Sequence, residues 1–179
     1  MGVKNFIGRD TELEQITSHF ATPRIHGPLI LVLHAMGGQG KSQLALEYCR
    51  SSRQKRVYRA IFWIQAHDEG LTTRSFHDVA VELGLKTPGD LLEPRLLLSL
   101  VKQALEVYEG RWLLVFDNYD QPQQFKNIKD YFPEGNARCF VVCPLLMLYS
   151  NEWRYLDHFQ ITWSRPAWNT DGIAQSRCG

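Results

Sequence analysis

Residues 34–42 read HAMGGQGKS, so that Gly37, Gly38 and Gly40 crowd immediately ahead of Lys41 and Ser42. Glycine gives up side-chain packing and loses the most conformational freedom on folding, so such a cluster marks backbone that must turn sharply or approach something closely. Set between a strand and a helix, the loop would turn successive N–H groups inward, and the helix N-terminus would add its partial positive charge. Together these make an anion site. Lys41 would reach the β- and γ-phosphates of a nucleotide as a point charge, and the Ser42 hydroxyl would be a ligand of Mg²⁺. Against the pattern G-x-x-x-x-G-K-[ST], Gly40, Lys41 and Ser42 are in place and Ala35 stands at the first glycine, where a small residue still leaves the turn uncrowded.

A glycine-rich turn with a chance Lys-Ser is the simpler alternative, and a second feature discriminates. A Mg²⁺-dependent phosphate site needs a carboxylate at the end of a neighbouring strand. The apolar run 112–116 is followed at once by Asp117, at the carboxyl end of a strand, where α/β folds place their ligands.

The elements that must position these residues are legible from periodicity. Residues 29–33, 60–64, 112–116 and 139–143 are short apolar runs without alternation, as strands buried on both faces of a parallel sheet require. Thr11-x-x-Glu14 has capping-box spacing and predicts a helix starting near Asp10 or Thr11. Further helices are expected after Ser42, over 75–83 closed by Gly84, and over 91–108 closed by Gly110, with Pro94 in the first turn of the last one or kinking it. Alternating strands and helices imply an α/β fold, a mostly parallel sheet with flanking helices in a three-layer sandwich. The organisation expected is a lead-in helix over 1–28, a phosphate-binding core over 29–143 and an aromatic tail over 144–179. In the tail only 159–163 resembles a strand.

A chain of 179 residues, 44% hydrophobic and 22% charged, suits one soluble globular domain. A formal net charge of +1 provides no overall attraction to nucleic acid or anionic lipid, and the basic stretch Arg50, Arg53, Lys55, Arg56 and Arg59 reads as a solvated helix end. The four cysteines show no CxxC spacing, which argues against a zinc site and for reduced thiols in cytoplasm. The longest apolar run is too short to span a bilayer, so no membrane association is expected. His34 reads as a core histidine, and Trp63 and Trp112 as core aromatics.

The segments FIGRDTELEQI (6–16), LVLHAMGGQGKSQLALEY (31–48), AIFWIQA (60–66) and WLLVFDNYD (112–120) together resemble the nucleotide-binding part of NB-ARC proteins, signal-transducing P-loop ATPases. The resemblance covers about residues 5 to 143. It implies a P-loop fold in which the fourth strand lies between the P-loop strand and the Asp117 strand, with a fifth strand, for which 159–163 is the candidate, outside the P-loop strand. It further implies ADP or ATP with Mg²⁺ as ligands and protein partners downstream. Ile7 and Arg9 would line the adenine side. Gly37, Gly38, Gln39, Gly40, Lys41 and Ser42, flanked by Met36 and Gln43, would form the phosphate loop (Walker A), and Asp117 the Walker B carboxylate that shares Mg²⁺ with Ser42.

Three departures from the family pattern bear on activity. Asn118 follows Asp117 where many members carry a second acid, leaving Asp120 as the nearest group to orient an attacking water and implying slow or absent hydrolysis. Cys143-Pro144-Leu145 stands where a sensor arginine is expected, so ATP and ADP would be poorly distinguished. The sequence stops at Gly179, ahead of the helical and winged-helix parts that close over the nucleotide in the family, so a truncated member is expected. Two alternatives stand beside this reading: a small P-loop phosphotransferase, and a degenerate domain serving as an interaction module.

Overall fold

The computed structural model describes residues 8–23, 28–90, 92–126, 128–134, 138–144 and 158–163. Five strands, β1 (Leu29–Ala35), β2 (Ala60–Gln65), β3 (Trp112–Asp117), β4 (Arg138–Pro144) and β5 (His158–Trp163), form one sheet in the order β2-β3-β4-β1-β5. Every pairing is parallel. The strand order is the one the family resemblance implies: β4 inserts between β1 and β3, and β5 covers the outer edge of β1 with Ile30 opposite His158 and Ala35 opposite Trp163. A β1 strand of seven buried residues left at an edge would be an aggregation template, and β5 removes that hazard. The rest of the aromatic tail lies outside the described residues.

Helices cover both faces. Leu29, Leu31 and Leu33 of β1 pack with Leu113 and Val115 of β3 against Ile16 and Phe20 of α1 (Asp10–Ala21) and Leu44, Ala45 and Tyr48 of α2 (Lys41–Gln54). The alternate residues Ile30, Val32, Leu114 and Phe116 face Phe76 and Val79 of α3 (Glu69–Glu82) and Leu97, Val101 and Leu105 of α4 (Pro94–Glu106). Strand periodicity thus splits one apolar run between two cores, the physical reason the run shows no alternation. His34 is fully buried in β1 and Trp112 nearly so, with its indole Nε1–H donating to Leu105 O at 2.9 Å.

Three helices differ in detail from the expectations. α1 starts at Asp10 as expected, but without the capping box: Thr11 and Glu14 lie inside the helix, and the N-cap is Arg9 in the left-handed region (φ 74°) with no side-chain cap. α3 begins at Glu69, six residues ahead of the expected 75, because Asp68 caps it: its Oδ1 accepts from Leu71 N–H at 2.8 Å. The early turns hold Gly70, Thr72 and Thr73, poor helix formers that hide the signal. Thr72 earns its place by donating its hydroxyl to Asp68 O at 2.7 Å, and Ser75 Oγ accepts from Gln65 N–H at 3.1 Å, tying α3 to the end of β2. α4 is shorter than 91–108; Pro94 occupies its first position, where a missing N–H costs nothing, and Glu93 Oε2 accepts from Leu96 N–H at 3.1 Å.

At the opposite end from the carboxyl ends of the strands, the Phe20 carbonyl in the last turn of α1 accepts from Arg111 Nη2 at 3.2 Å and from Arg138 Nε at 3.3 Å. These two guanidiniums satisfy a terminal helix carbonyl and fasten α1 to the bases of β3 and β4.

Candidate functional site

β1 ends at Ala35 and the chain turns through the glycine loop into α2. Gly38 and Gly40 have φ of 74° and 82°, left-handed values that non-glycine residues adopt only with strain. A Cβ built on Gly37, Gly38 or Gly40 would meet no heavy atom within 4 Å, so the space over the loop is open. Gly40 is the N-cap of α2 and provides no side-chain acceptor, which leaves the first N–H groups of that helix without a capping side chain.

Lys41 folds back along the loop, its Nζ donating to Ala35 O at 2.9 Å and Met36 O at 3.2 Å. Ser42, one residue on, donates its hydroxyl to Asp117 Oδ1 at 2.7 Å, across 75 residues of sequence. Asp117 closes β3, only 6% exposed, and its backbone carbonyl accepts from Ala66 N–H at 2.7 Å, so its position is fixed from the β2 side as well. Burial raises the Asp117 carboxyl above the ordinary aspartate range. Hydrogen bonds from Ser42 and the Asn118 N–H pull it down, the Asp120 charge pushes it up and Lys41 pulls it down.

Past Asp117 the chain makes a tight turn: Asn118 is left-handed (φ 62°) and the Asp120 N–H donates to Asn118 O at 2.7 Å. Between them Tyr119 is fully buried, its hydroxyl donating to Phe125 O at 2.7 Å and its ring set edge-on to Phe125 at 5.7 Å. Asn118 and Asp120 therefore both face outward, into a cavity of about 320 Å³ that they share with the loop glycines, Lys41, Ser42 and Gln43.

Other residues expected at the site are placed less directly. Ile7 lies outside the described residues. Arg9 is held at the head of α1 by Glu12, Nη1 to Oε1 at 3.3 Å, and is not among the residues lining the cavity. Met36 is 63% exposed, and Gln39 holds a buried Oε1 with no hydrogen-bond partner among the described residues. Asn118 as a cavity-lining group was not foreseen; the signal available was the polar-aromatic-polar order Asn118-Tyr119-Asp120, whose buried middle residue forces both neighbours outward.

A parallel sheet of order 2-3-4-1-5 between two helical layers, with a glycine loop joining β1 to a helix and an aspartate ending β3, is the P-loop nucleoside triphosphatase fold. Two solved structures share it: Cdc6p of Pyrobaculum aerophilum (TM-score 0.60, 14% identity, 89% of this chain and 46% of that one) and the Orc1 protein of Aeropyrum pernix in complex with DNA (TM-score 0.64, 13% identity, 90% and 46%). The NB-ARC domain family model matches residues 9–143, and the chain belongs to the NB-ARC family as a nucleotide-binding P-loop module. It is also 29% identical over 136 residues to a nucleotide-binding leucine-rich repeat (NLR)-like protein of Hyaloscypha variabilis, a match covering 74% of this chain and 14% of that protein. Among the described residues no helix is long and apolar enough to cross a membrane.

Proposed function

We propose that the chain binds ADP and ATP with Mg²⁺ as the nucleotide module of a cytoplasmic signalling protein, and hydrolyses ATP slowly if at all. The observation that carries this reading is the 2.7 Å hydrogen bond from Ser42 to Asp117 beside the open glycine loop, with Lys41 adjoining. The residues fit the ligand: the loop provides free space and an uncapped helix N-terminus for phosphate oxygens, and the buried Asp117 carboxylate has a hydroxyl, not a cation, against it. Ser42 Oγ and Asp117 would hold Mg²⁺, whose chemistry is to neutralise the β- and γ-phosphate charge. Lys41 exchanges its carbonyl partners for phosphate oxygens, and Gln43 borders the phosphates from the first turn of α2. Met36 and Gln39 flank the loop, and Arg9 would take the adenine side.

Hydrolysis needs a group to orient water. The Asn118 amide cannot accept a proton there, which leaves Asp120 at the cavity wall, and slow turnover follows. The kinship with an NLR-like protein supports a signalling role with protein partners. Calorimetric titration with ADP and ATP, with and without Mg²⁺, tests the reading. Lys41→Ala removes a charge-assisted contact and is expected to weaken binding at least about tenfold. Equal affinity in that variant overturns the proposal.

A further inference from the structure

A second cavity, of about 430 Å³, opens at the amino ends of β3 and β4, the opposite end of the sheet from the glycine loop. Arg111 and Arg138 line it, and both guanidiniums converge on one neutral acceptor, the Phe20 carbonyl, at 3.2 and 3.3 Å. A carbonyl satisfies their hydrogen bonds but cancels no charge. Burial, and after it the neighbouring Arg111 charge, lower the Arg138 guanidinium below the ordinary arginine range. Arg111 makes no ion pair among the described residues, and of its five N–H donors only one, on Nη2, is engaged. Glu106 and Glu134, both exposed, line the same cavity, and neither forms an ion pair with the two arginines. Two cations and two anions thus share one cavity without meeting, an arrangement that a ligand carrying both charges would bridge.

We propose that this cavity binds a small phosphate monoester bearing an ammonium group, with the phosphate on Arg111 and Arg138 and the ammonium toward Glu106 and Glu134. The choice of phosphate follows from charge. A monoester carries about −1.5 to −2 near pH 7 and has three acceptor oxygens, enough for two guanidinium forks, whereas a carboxylate would leave one arginine uncompensated. The same phosphoamine occurs as a lipid headgroup, but there it is a diester with a single negative charge, and the arginine pair favours the free monoester. Leu105 and the buried Trp112, whose indole N–H is taken by the Leu105 carbonyl, give the wall an apolar surface suited to a short carbon chain.

The test is calorimetry on the whole 179-residue chain with phosphoethanolamine, inorganic phosphate and ethanolamine as probes. Phosphoethanolamine is expected to bind roughly two- to fivefold more tightly than phosphate, and ethanolamine at least about tenfold more weakly than either. Arg111→Gln should weaken phosphoethanolamine at least about tenfold, and Glu134→Gln should erase its margin over phosphate. Lys41→Ala, which removes the cation of the glycine loop, should leave phosphoethanolamine binding within about twofold. In the native protein, phosphoethanolamine should slow phenylglyoxal modification of Arg111, mapped by mass spectrometry, at least about threefold, which keeps the test valid should a variant fold poorly. Binding lost in Lys41→Ala but kept in Arg111→Gln, a preference for inorganic phosphate, or unprotected Arg111 overturns the inference and leaves the nucleotide reading standing. Co-sedimentation with phosphatidylethanolamine vesicles separates the two sources: protein that stays in the supernatant supports the free monoester, and protein that pellets overturns it in favour of the lipid.

Discussion

Asp117→Asn should stabilise the protein while disabling its proposed site. Asp117 is 6% exposed, and burial is the largest influence on its carboxyl, raising it above the usual aspartate range against the pull of Ser42, the Asn118 N–H and Lys41. A carboxyl whose affinity for protons is greater in the folded than in the unfolded chain contributes stability that is complete below the unfolded value and lost as pH rises through the folded one. At pH 7 the ionised group is therefore a net liability to the ligand-free fold. Asparagine removes the charge and keeps an oxygen for the Ser42 hydroxyl, so the gain should be about 1 kcal/mol, or about 2–4 °C in Tm. Thermal unfolding followed by circular dichroism in EDTA reads it, and the gain should shrink as the pH falls to about 4. The same variant should lose the Mg²⁺-dependent part of nucleotide affinity, at least about tenfold. A loss of stability at pH 7, or a gain that does not change with pH, would show that the buried charge is held by its partners at no cost and refute the reasoning.

Burial pushes the Cys49 thiol up to about 12, so its alkylation at pH 8, mapped by mass spectrometry, should run at least about tenfold slower in native than in unfolded protein. Rapid native labelling would contradict the packing of α2. Tyr119→Phe leaves the Phe125 carbonyl without its 2.7 Å donor in a buried site, and should cost about 1–2 kcal/mol in urea unfolding. A cost below about 0.5 kcal/mol would mean that the hydroxyl does not hold the turn. Gly40→Ala forces a Cβ onto φ 82° and into the open space above the loop; a loss of about 1 kcal/mol in stability is expected, with weaker nucleotide binding, and an unchanged protein on both counts would refute the role given to that glycine.

Strands β1, β2 and β3 were legible within two residues because a strand buried on both faces must be apolar throughout, and no other short element demands that. β5 was legible because residues 159–163 alone in the tail read as a strand and the family resemblance implies a fifth strand outside β1. The helix starts were harder. At α3 the determinants are Asp68 and two hydroxyls that bond backwards to β2, contacts whose partners are set by the tertiary fold, and Gly70 and Thr72 argue against a helix to any reading of local preference. At α1 the capping-box spacing was present and unused, because the chain enters the helix through a left-handed Arg9 that places Thr11 two residues past the cap position.

The site divides along the same line. Ser42 and Asp117 could be paired from sequence because each is fixed by the end of a strand or the start of a helix, and a parallel sheet brings those ends together whatever lies between them. Asn118 and Asp120 belong to a turn, where a side chain's direction depends on which neighbour the core captures. Capture of Tyr119 by Phe125, in a cluster with Tyr131, is a contact between segments with no shared periodicity. A hydrophobic residue between two polar ones is common in loops and signals nothing alone; it becomes informative only where the sheet end above it holds a phosphate cradle. Replacing Tyr119 by a residue that the core does not capture would therefore release Asp120 from the cavity wall while leaving Ser42 and Asp117 in contact, separating the part of the site set by regular structure from the part set by one buried ring.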